Sequence, residues 1–155
     1  MERIIADLCV IGAGSGGLTA AAGAVQMGAR VVLIEAGEMG GDCLNTGCVP
    51  SKALLAAAHA AEAQRRGFAG VAPNPPAVDF AGVKDHVAAV IRAIAPHDSQ
   101  ERLEGLGCRV IRAFGRFVSP REVAAGGHLI RARRFVIATG SHAFVPPIPG
   151  VETTP

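Results

Sequence analysis

The turn Ile11-Gly12-Ala13-Gly14-Ser15-Gly16-Gly17 lies between two apolar runs near the start of the sequence. The run before it, residues 4–11, is rich in β-branched side chains and predicts a buried parallel strand. The run after it, residues 18–27, consists mainly of small apolar residues and predicts a helix that ends at Gly28. Residues 30–34 predict a second buried strand that finishes at Glu35. Together these residues predict a β-α-β unit of the dinucleotide-binding type.

The glycines and the acidic residue of this unit have separate physical roles in nucleotide binding. Gly12 would make the tight turn. Gly14 would let a pyrophosphate approach the backbone at the N-terminus of the helix, where free N–H groups favour anions. Gly17 would allow the helix to pack closely on the strand. Glu35 would accept hydrogen bonds from both hydroxyls of an adenosine ribose, which favours FAD or NAD over a nucleotide with a 2′-phosphate.

A second motif contains two of the four cysteines. Its sequence is Gly40-Gly41-Asp42-Cys43-Leu44-Asn45-Thr46-Gly47-Cys48-Val49-Pro50-Ser51-Lys52. In a regular helix, cysteines at this spacing would have Cα atoms about 8.7 Å apart, beyond the roughly 7 Å that a disulfide spans. A bond between Cys43 and Cys48 would therefore need a distorted backbone, and a strained, accessible disulfide is readily reduced. Gly47 can supply the distortion, and Pro50 suits the first turn of a helix that continues through residues 53–64. The segment predicts a redox dithiol at a helix entrance, where the helix dipole and Lys52 favour a thiolate.

Two other interpretations of the cysteines stay open at this point. A structural zinc site usually has two sets of closely spaced ligands, whereas Cys9 and Cys108 are single and distant. Unrelated core cysteines would leave the glycines that flank Cys43 and Cys48 unexplained. The histidines at positions 59, 86, 97, 128 and 142 fall on different predicted elements, so we expect solvated or packing roles for them. No metal site is predicted.

The length, charge and composition of the chain argue against several classes of protein. A chain of 155 residues is long enough for one domain with a real core. The net charge is +2, and the basic residues are scattered apart from short pairs and a small cluster of Arg131, Arg133 and Arg134, so no nucleic-acid partner is expected. The cysteines are too few for a disulfide scaffold, which favours a reducing cytoplasm. No run of about eighteen apolar residues predicts a membrane span.

The rest of the chain predicts helices and short strands. We expect a loop at residues 71–76 and a helix over residues 80–106 that Pro96 is able to break. Residues 108–113, 114–118, 122–124 and 129–131 predict short strands, and residues 135–138 predict another buried strand before Thr139-Gly140-Ser141. The stretch from residue 144 to the end is rich in proline, which is typical of a linker.

Three motifs follow one another along the chain: the glycine turn, the dithiol segment and Thr139-Gly140-Ser141. With these motifs in this order, residues 5–150 resemble the class I pyridine nucleotide–disulfide oxidoreductases. Gly-Gly-Asp-Cys at residues 40–43 and Ala-Pro-His-Asp-Ser at residues 95–99 are most similar to mercuric reductase and its bacterial relatives. Dihydrolipoamide dehydrogenase and glutathione reductase usually have threonine where this chain has Asp42. The resemblance implies an α/β fold: a Rossmann-like FAD-binding domain over residues 1–145, with a central parallel sheet and a small antiparallel β-meander. Residues 146–155 would lead toward an NAD(P)-binding domain.

The resemblance also implies roles for individual residues. Cys48 would lie nearest the flavin, and Cys43 would be the interchange thiol that attacks the substrate. Lys52 would lie beside the hydride-accepting nitrogen of the flavin, and the backbone of Gly115 would contact adenine. The implied cofactor-binding residues are Gly12, Gly14, Ser15, Gly16, Gly17, Glu35, Ala36, Gly41, Asp42, Cys43, Lys52, Gly115, Thr139, Gly140 and Ser141.

The implied activity is a two-electron relay. Electrons would pass from NAD(P)H through FAD to the Cys43–Cys48 disulfide, and then to a disulfide or Hg(II) substrate, in a homodimeric cytoplasmic enzyme. On this interpretation the chain is the N-terminal part of a longer enzyme and is inactive alone. The alternative is a non-catalytic folded module, with or without FAD. A plain NAD-binding Rossmann domain would leave the dithiol, Lys52 and Thr139-Gly140-Ser141 unexplained.

Overall fold

The computed structural model describes residues 1–142 and 144–153. Its strands in this part of the chain form one mixed sheet of six. They are β1 (Glu2–Ile11), β2 (Val31–Glu35), β3 (Arg109–Arg112), β4 (Arg116–Ser119), β5 (Glu122–Ala125) and β6 (His128–Ile137). Their order across the sheet is β3-β2-β1-β6-β5-β4. The pairs β3–β2, β2–β1 and β1–β6 are parallel. The pairs β6–β5 and β5–β4 are antiparallel. The predicted α/β fold, with a central parallel sheet and an antiparallel meander, is confirmed.

Strand β1 is central because its apolar side chains are covered on both faces of the sheet. Cys9 and Ile11 belong to one core cluster, together with Val123 and Ile130 of the meander. Val10 belongs to the opposite cluster, which also contains residues of the helices on that side. An almost continuous apolar strand of this kind is expected where both faces are buried.

The structure corrects one strand prediction. Residues 129–131 and 135–138 were expected to form two strands, but a single strand, β6, covers residues 128–137. The reason is a tertiary contact, because β6 pairs with β1 along its whole length. The register runs from His128 opposite Glu2 to Ile137 opposite Ile11. The arginine-rich middle of β6 is held extended by this pairing although its sequence does not suggest a buried strand.

Five helices occur in the described residues, and most of them agree with the sequence predictions. They are α1 (Ser15–Gln26), α2 (Gly41–Asn45), α3 (Cys48–Arg66), α4 (Phe80–Ile94) and α5 (Gln100–Gly105). The helix predicted over residues 80–106 is interrupted by a 3-10 turn, Ala95–Asp98, which contains Pro96. The side chains of Asp79 and Ser99 accept hydrogen bonds from backbone N–H groups at the starts of α4 and α5. These caps fix the two helix starts.

The helices differ in how they join the core. Helices α1 and α5 pack on one face of the sheet through Leu18, Ala21 and Leu103. Helices α3 and α4 pack mainly on each other, and within them only Ala53 is buried. None of the helices in the described ranges is long and apolar enough to cross a membrane. The predicted linker contains a 3-10 turn, Val151–Thr153, and its last residues, Thr154 and Pro155, lie outside the described residues.

Candidate functional site

A cleft of about 500 Å³ lies at the carboxyl ends of the parallel strands. Gly12 directly follows β1, Ala36 directly follows β2, and Ala138 directly follows β6, and all three line the cleft. Open α/β sheets bind ligands at this edge, because the loops and helix N-termini that follow the strands meet there. The cleft is therefore the candidate site.

The glycine turn forms one wall of the cleft by close backbone packing. Gly12 has φ +105°, and a Cβ built on it would lie 2.1 Å from the carbonyl oxygen of Ala138. A Cβ on Gly17 would lie 1.8 Å from the carbonyl oxygen of Gly12. Gly14 is different, because the nearest atom to its Cβ position is 3.8 Å away and the residue lines the cleft. Helix α1 begins at the next residue, so its first N–H groups lie at the cleft.

The carboxylate of Glu35 joins the end of β2 to this turn. One oxygen accepts a hydrogen bond from the backbone N–H of Ala13 at 2.5 Å, and the other accepts one from the N–H of Gly37 at 2.6 Å. The Arg112 guanidinium donates to the carbonyl of Gly37 and ties this loop to the end of β3. A carboxylate has about four acceptor positions, so Glu35 keeps capacity for further donors in the cleft.

The dithiol segment packs directly on the glycine turn. The N–H of Gly40 donates to the carbonyl of Ala13 at 2.9 Å. Gly41 has φ +58°, and a Cβ on it would lie 2.7 Å from the Cα of Gly14. A side chain at Gly41 would separate the two segments, which explains why glycine precedes Asp42 here. Two motifs that are distant in sequence thus meet backbone to backbone at the cleft.

The two cysteines lie on separate helices. Helix α2 ends at Asn45 and α3 begins at Cys48, with a break at Gly47, which has φ −111° and ψ −105°. The N–H of Gly47 donates to the carbonyl of Asp42 at 2.6 Å, and a Cβ on Gly47 would lie 2.7 Å from the Asp42 carboxylate. This break is the backbone distortion that the spacing of the cysteines requires, and it lets Cys48 approach Cys43 closely enough to affect the pKa of its thiol.

The surroundings of Cys43 act on the pKa of its thiol in both directions. The interaction with the Cys48 thiol has the largest effect and raises the pKa of the Cys43 thiol, and burial and Asp98 raise it further. Lys52 lowers the pKa, as the sequence suggested, but its effect is outweighed. The net effect is a raised pKa of Cys43, which favours its thiol form over the thiolate.

The other two cysteines belong to the core. Burial raises the pKa of Cys9 to about 12 and that of Cys108 to about 11. Such thiols carry almost no thiolate at neutral pH and are inert. Within residues 1–142 and 144–153, no group of three histidine, cysteine or acidic side chains is arranged to hold a metal ion.

Most of the predicted cofactor-binding residues meet at the cleft, although they come from five separate segments. The predicted residues that line it are Gly12, Gly14, Glu35, Ala36, Gly41, Asp42, Gly115, Thr139, Gly140 and Ser141. The predicted residues outside the lining are Ser15, Gly16, Gly17, Cys43 and Lys52. Ser15 and Gly16 lie in the first turn of α1, and Gly17 packs on Gly12. Lys52 and Cys48, the other predicted catalytic residue, are exposed in the first turns of α3.

Some lining residues were not among the predicted site residues. They are Ile11, Ile34, Gly37, Glu38, Asn45, Thr46, Ala113, Phe114, Ala138 and His142. Phe114 is 86% exposed beside Gly115, and the side chain of Asn45 donates to the carbonyls of Met39 and Gly41. The available signal was adjacency, since each of these residues is next to or close to a predicted one. His142, expected to be solvated or packed, follows Ser141 at the cleft.

Comparisons with known proteins find relatives that match most of this chain. A mercuric reductase from Staphylococcus aureus is 34% identical over 147 residues, which are 94% of this chain and 27% of that protein. A chloroplastic dihydrolipoyl dehydrogenase 2 from Arabidopsis thaliana is 37% identical, over 90% of this chain and 25% of that protein. A Cu(II) complex of the HOCl-induced flavoprotein disulfide reductase RclA from Escherichia coli has a TM-score of 0.72 and 28% identity, and covers 96% of this chain and 31% of that chain.

This chain therefore spans less than a third of the length of each of these proteins. The family model described as pyridine nucleotide-disulphide oxidoreductase matches residues 6–155. Because the match covers nearly the whole chain, the protein belongs to the pyridine nucleotide-disulphide oxidoreductase family.

Proposed function

We propose that this chain is the FAD-binding and dithiol-bearing part of an NAD(P)H-dependent flavoprotein reductase that acts on a disulfide or on Hg(II). The observation that carries the proposal is the contact between Gly14 and Gly41, which holds the dithiol segment against the nucleotide turn at one cleft. A plain nucleotide-binding domain has no need of a Cys-containing segment in that position. Residues 1–145 would form the FAD-binding part and residues 146–155 a linker, and homodimerisation and a cytoplasmic location stay predictions.

The residues of the cleft fit FAD. Gly14 leaves open space where a pyrophosphate would approach, and the N-terminus of α1 favours negative charge there. Glu35 has acceptor capacity left for the adenosine ribose. Gly115 and Thr139-Gly140-Ser141 line the same cleft, as a long ligand requires. The chemistry that FAD supplies when bound is two-electron transfer between NAD(P)H and the disulfide.

The dithiol would then carry the substrate chemistry. Attack of a Cys43 thiolate on a disulfide substrate forms a bond between the Cys43 sulfur and one substrate sulfur, and releases the other as a thiolate. Attack of the Cys48 thiolate on the Cys43 sulfur forms the Cys43–Cys48 disulfide and releases the second substrate thiolate. Two electrons leave the dithiol with the two released thiolates, and the thiol protons pass to solvent. The break at Gly47 is what allows the two sulfurs to meet.

The experiment that tests the proposal is titration of the chain with FAD, followed by flavin fluorescence, for wild type, Gly14→Ala and Gly23→Ala. A methyl group at Gly14 meets no atom closer than 3.8 Å in the protein but enters the cleft. We expect Gly14→Ala to fold normally and to weaken FAD binding by about tenfold or more, a change of roughly 1.4 kcal/mol or above.

Gly23 is the matched control, because it lies in the same helix with open space around its Cβ position and away from the cleft. Gly23→Ala should bind FAD like wild type. A chain that does not bind FAD, or equal affinities for the two variants, would contradict the assignment of the cleft.

A further inference from the structure

The side chain of Asp42 spans the break between the two helices that carry the cysteines. One carboxylate oxygen accepts a hydrogen bond from the hydroxyl of Thr46, the residue that follows α2 and precedes Gly47. The other carboxylate oxygen lies against Gly47, 2.7 Å from the position that a Cβ would take. A residue larger than glycine at position 47 would therefore displace this carboxylate. The Asp42 side chain is thus packed into the break itself.

The backbone of Asp42 bonds across the same break. Its carbonyl oxygen accepts hydrogen bonds from the N–H groups of Thr46 at 2.9 Å and Gly47 at 2.6 Å. Asp42 directly precedes Cys43, and Gly47 directly precedes Cys48. Adjacent Cα atoms are about 3.8 Å apart, so contacts between Asp42 and Gly47 restrict how far the two cysteines can separate. The contacts that fix the break therefore also fix the dithiol.

The bond between the two side chains has no role in the core of the protein. Both Asp42 and Thr46 are exposed and line the cleft. In the part of the chain that the structure describes, the Thr46 hydroxyl donates only to Asp42. Because neither side chain is buried, their bond acts mainly on the local geometry of the break, and water competes for it.

We propose that Asp42 is a positioning residue of the dithiol, which holds the break through its bond with Thr46 so that the Cys43–Cys48 disulfide closes more readily. The proposal rests on the proposed function, in which these two cysteines form the redox disulfide. A dithiol that is held near its closed geometry loses less conformational entropy when the disulfide forms. Removal of the bond frees the reduced dithiol more than the disulfide, which is already restrained by its covalent bond. The disulfide then becomes easier to reduce.

The experiment measures the equilibrium between the dithiol and glutathione on the purified chain. Oxidised glutathione takes two electrons and two protons from the Cys43 and Cys48 thiols, which gives one protein disulfide and two molecules of reduced glutathione. Accessible thiols are then alkylated, and mass spectrometry counts the reduced and oxidised chains. Cys9 and Cys108 are buried, so they stay unmodified in both forms.

We expect Thr46→Val to lower the equilibrium constant for disulfide formation by about three- to tenfold, because valine keeps the shape of the side chain and lacks the hydroxyl. Thr46→Ser keeps a hydroxyl and should keep the wild-type constant. Thr19→Val is the matched control. The Thr19 hydroxyl also donates four residues back, to the carbonyl of Ser15 at 2.7 Å, but it lies in α1 and outside the cleft. Its loss should leave the constant unchanged.

Asp42→Ala tests whether the effect passes through this bond. We expect a fall similar to that in Thr46→Val, and no further fall when the two changes are combined, since each removes the same contact. An unchanged constant in Thr46→Val, an equal fall in Thr19→Val, or additive falls in the double variant would overturn the proposal. Should Thr46→Val not fold, Asp42→Ala decides, because a wild-type constant in that variant would also overturn it.

The assay separates this proposal from the proposed function. It requires no FAD, so a failure of FAD binding does not affect it. A wild-type chain that forms no Cys43–Cys48 disulfide with glutathione would contradict the proposed function and this proposal together. A disulfide that forms equally well in wild type and in Thr46→Val would contradict the role of Asp42 alone.

Discussion

Gly14 and Gly17 lie three positions apart in the same turn, and the structure gives them opposite surroundings. The Cβ position of Gly14 is open toward the cleft, whereas that of Gly17 coincides with the backbone of Gly12. A methyl group at Gly14 therefore affects a ligand, and a methyl group at Gly17 affects the fold. The sequence motif predicted close packing for Gly17, which the structure shows, and the approach of a pyrophosphate at Gly14, which stays a prediction.

At the residue scale we predict opposite stability effects for two glycine-to-alanine changes in α1. Gly17→Ala should lower the free energy of unfolding by about 1–3 kcal/mol, because the strand and helix must move apart. Gly23→Ala should raise it by roughly 0.5–1 kcal/mol, because Gly23 is an exposed interior residue of the helix and alanine has less entropy to lose. Urea unfolding of both variants measures the effects. Equal effects of the two changes would contradict the packing described for Gly17.

The reactivity of Cys43 shows where residue-level prediction from sequence stops. Lys52 is close in sequence, and its effect on the thiol has the predicted direction. The effect of Asp98 was not predicted, because that residue reaches the dithiol only through the packing of α2 and α3 on α4. Its position follows from how three helices meet, which no local pattern encodes.

At the scale of elements, α3 extends from the dithiol to a pair of ion pairs at its other end. The Glu62 carboxylate accepts hydrogen bonds from Arg65 at 2.8 Å and from Arg66. These contacts lower the pKa of Glu62 from 4.5 to about 2. Both arginines are in the last turn of the helix, where positive charge is favourable.

The pH dependence of this helix end follows from the lowered pKa. The stabilisation by ionised Glu62 is fully present above pH 4.5 and is lost as the pH falls toward about 2. The difference in Tm between wild type and Glu62→Gln should therefore shrink over this range. Thermal unfolding followed by circular dichroism measures it, with Glu101→Gln, an exposed change in α5, as the control. A difference that persists near pH 2 would show that the ion pairs are not its cause.

The elements were predicted best where a local signal marked their ends. Pro96 indicated the interruption between α4 and α5, and Pro50 lies in the first turn of α3 as expected. The prediction was wrong where an element depends on a distant partner. Strand β6 is continuous because β1 pairs with it from end to end.

At the scale of the whole molecule, the sheet order brings segments from all parts of the sequence to one edge. The motifs identified the glycine turn, Glu35 and Thr139-Gly140-Ser141, and the right-handed β-α-β rule places such segments at the carboxyl ends of the strands. The rule does not select the residues that fill the space between them, such as Phe114 and Asn45. Their place depends on how β3 and α2 approach the cleft.

The central claim, that one site holds both a flavin and the dithiol, is tested most directly by the visible spectrum of the chain with FAD after two-electron reduction. We predict a long-wavelength charge-transfer shoulder in wild type, because a Cys48 thiolate would contact the flavin. The shoulder should persist in Cys43→Ser and be absent in Cys48→Ser. Bound flavin without this shoulder in wild type, or with the same shoulder in Cys48→Ser, would contradict the claim.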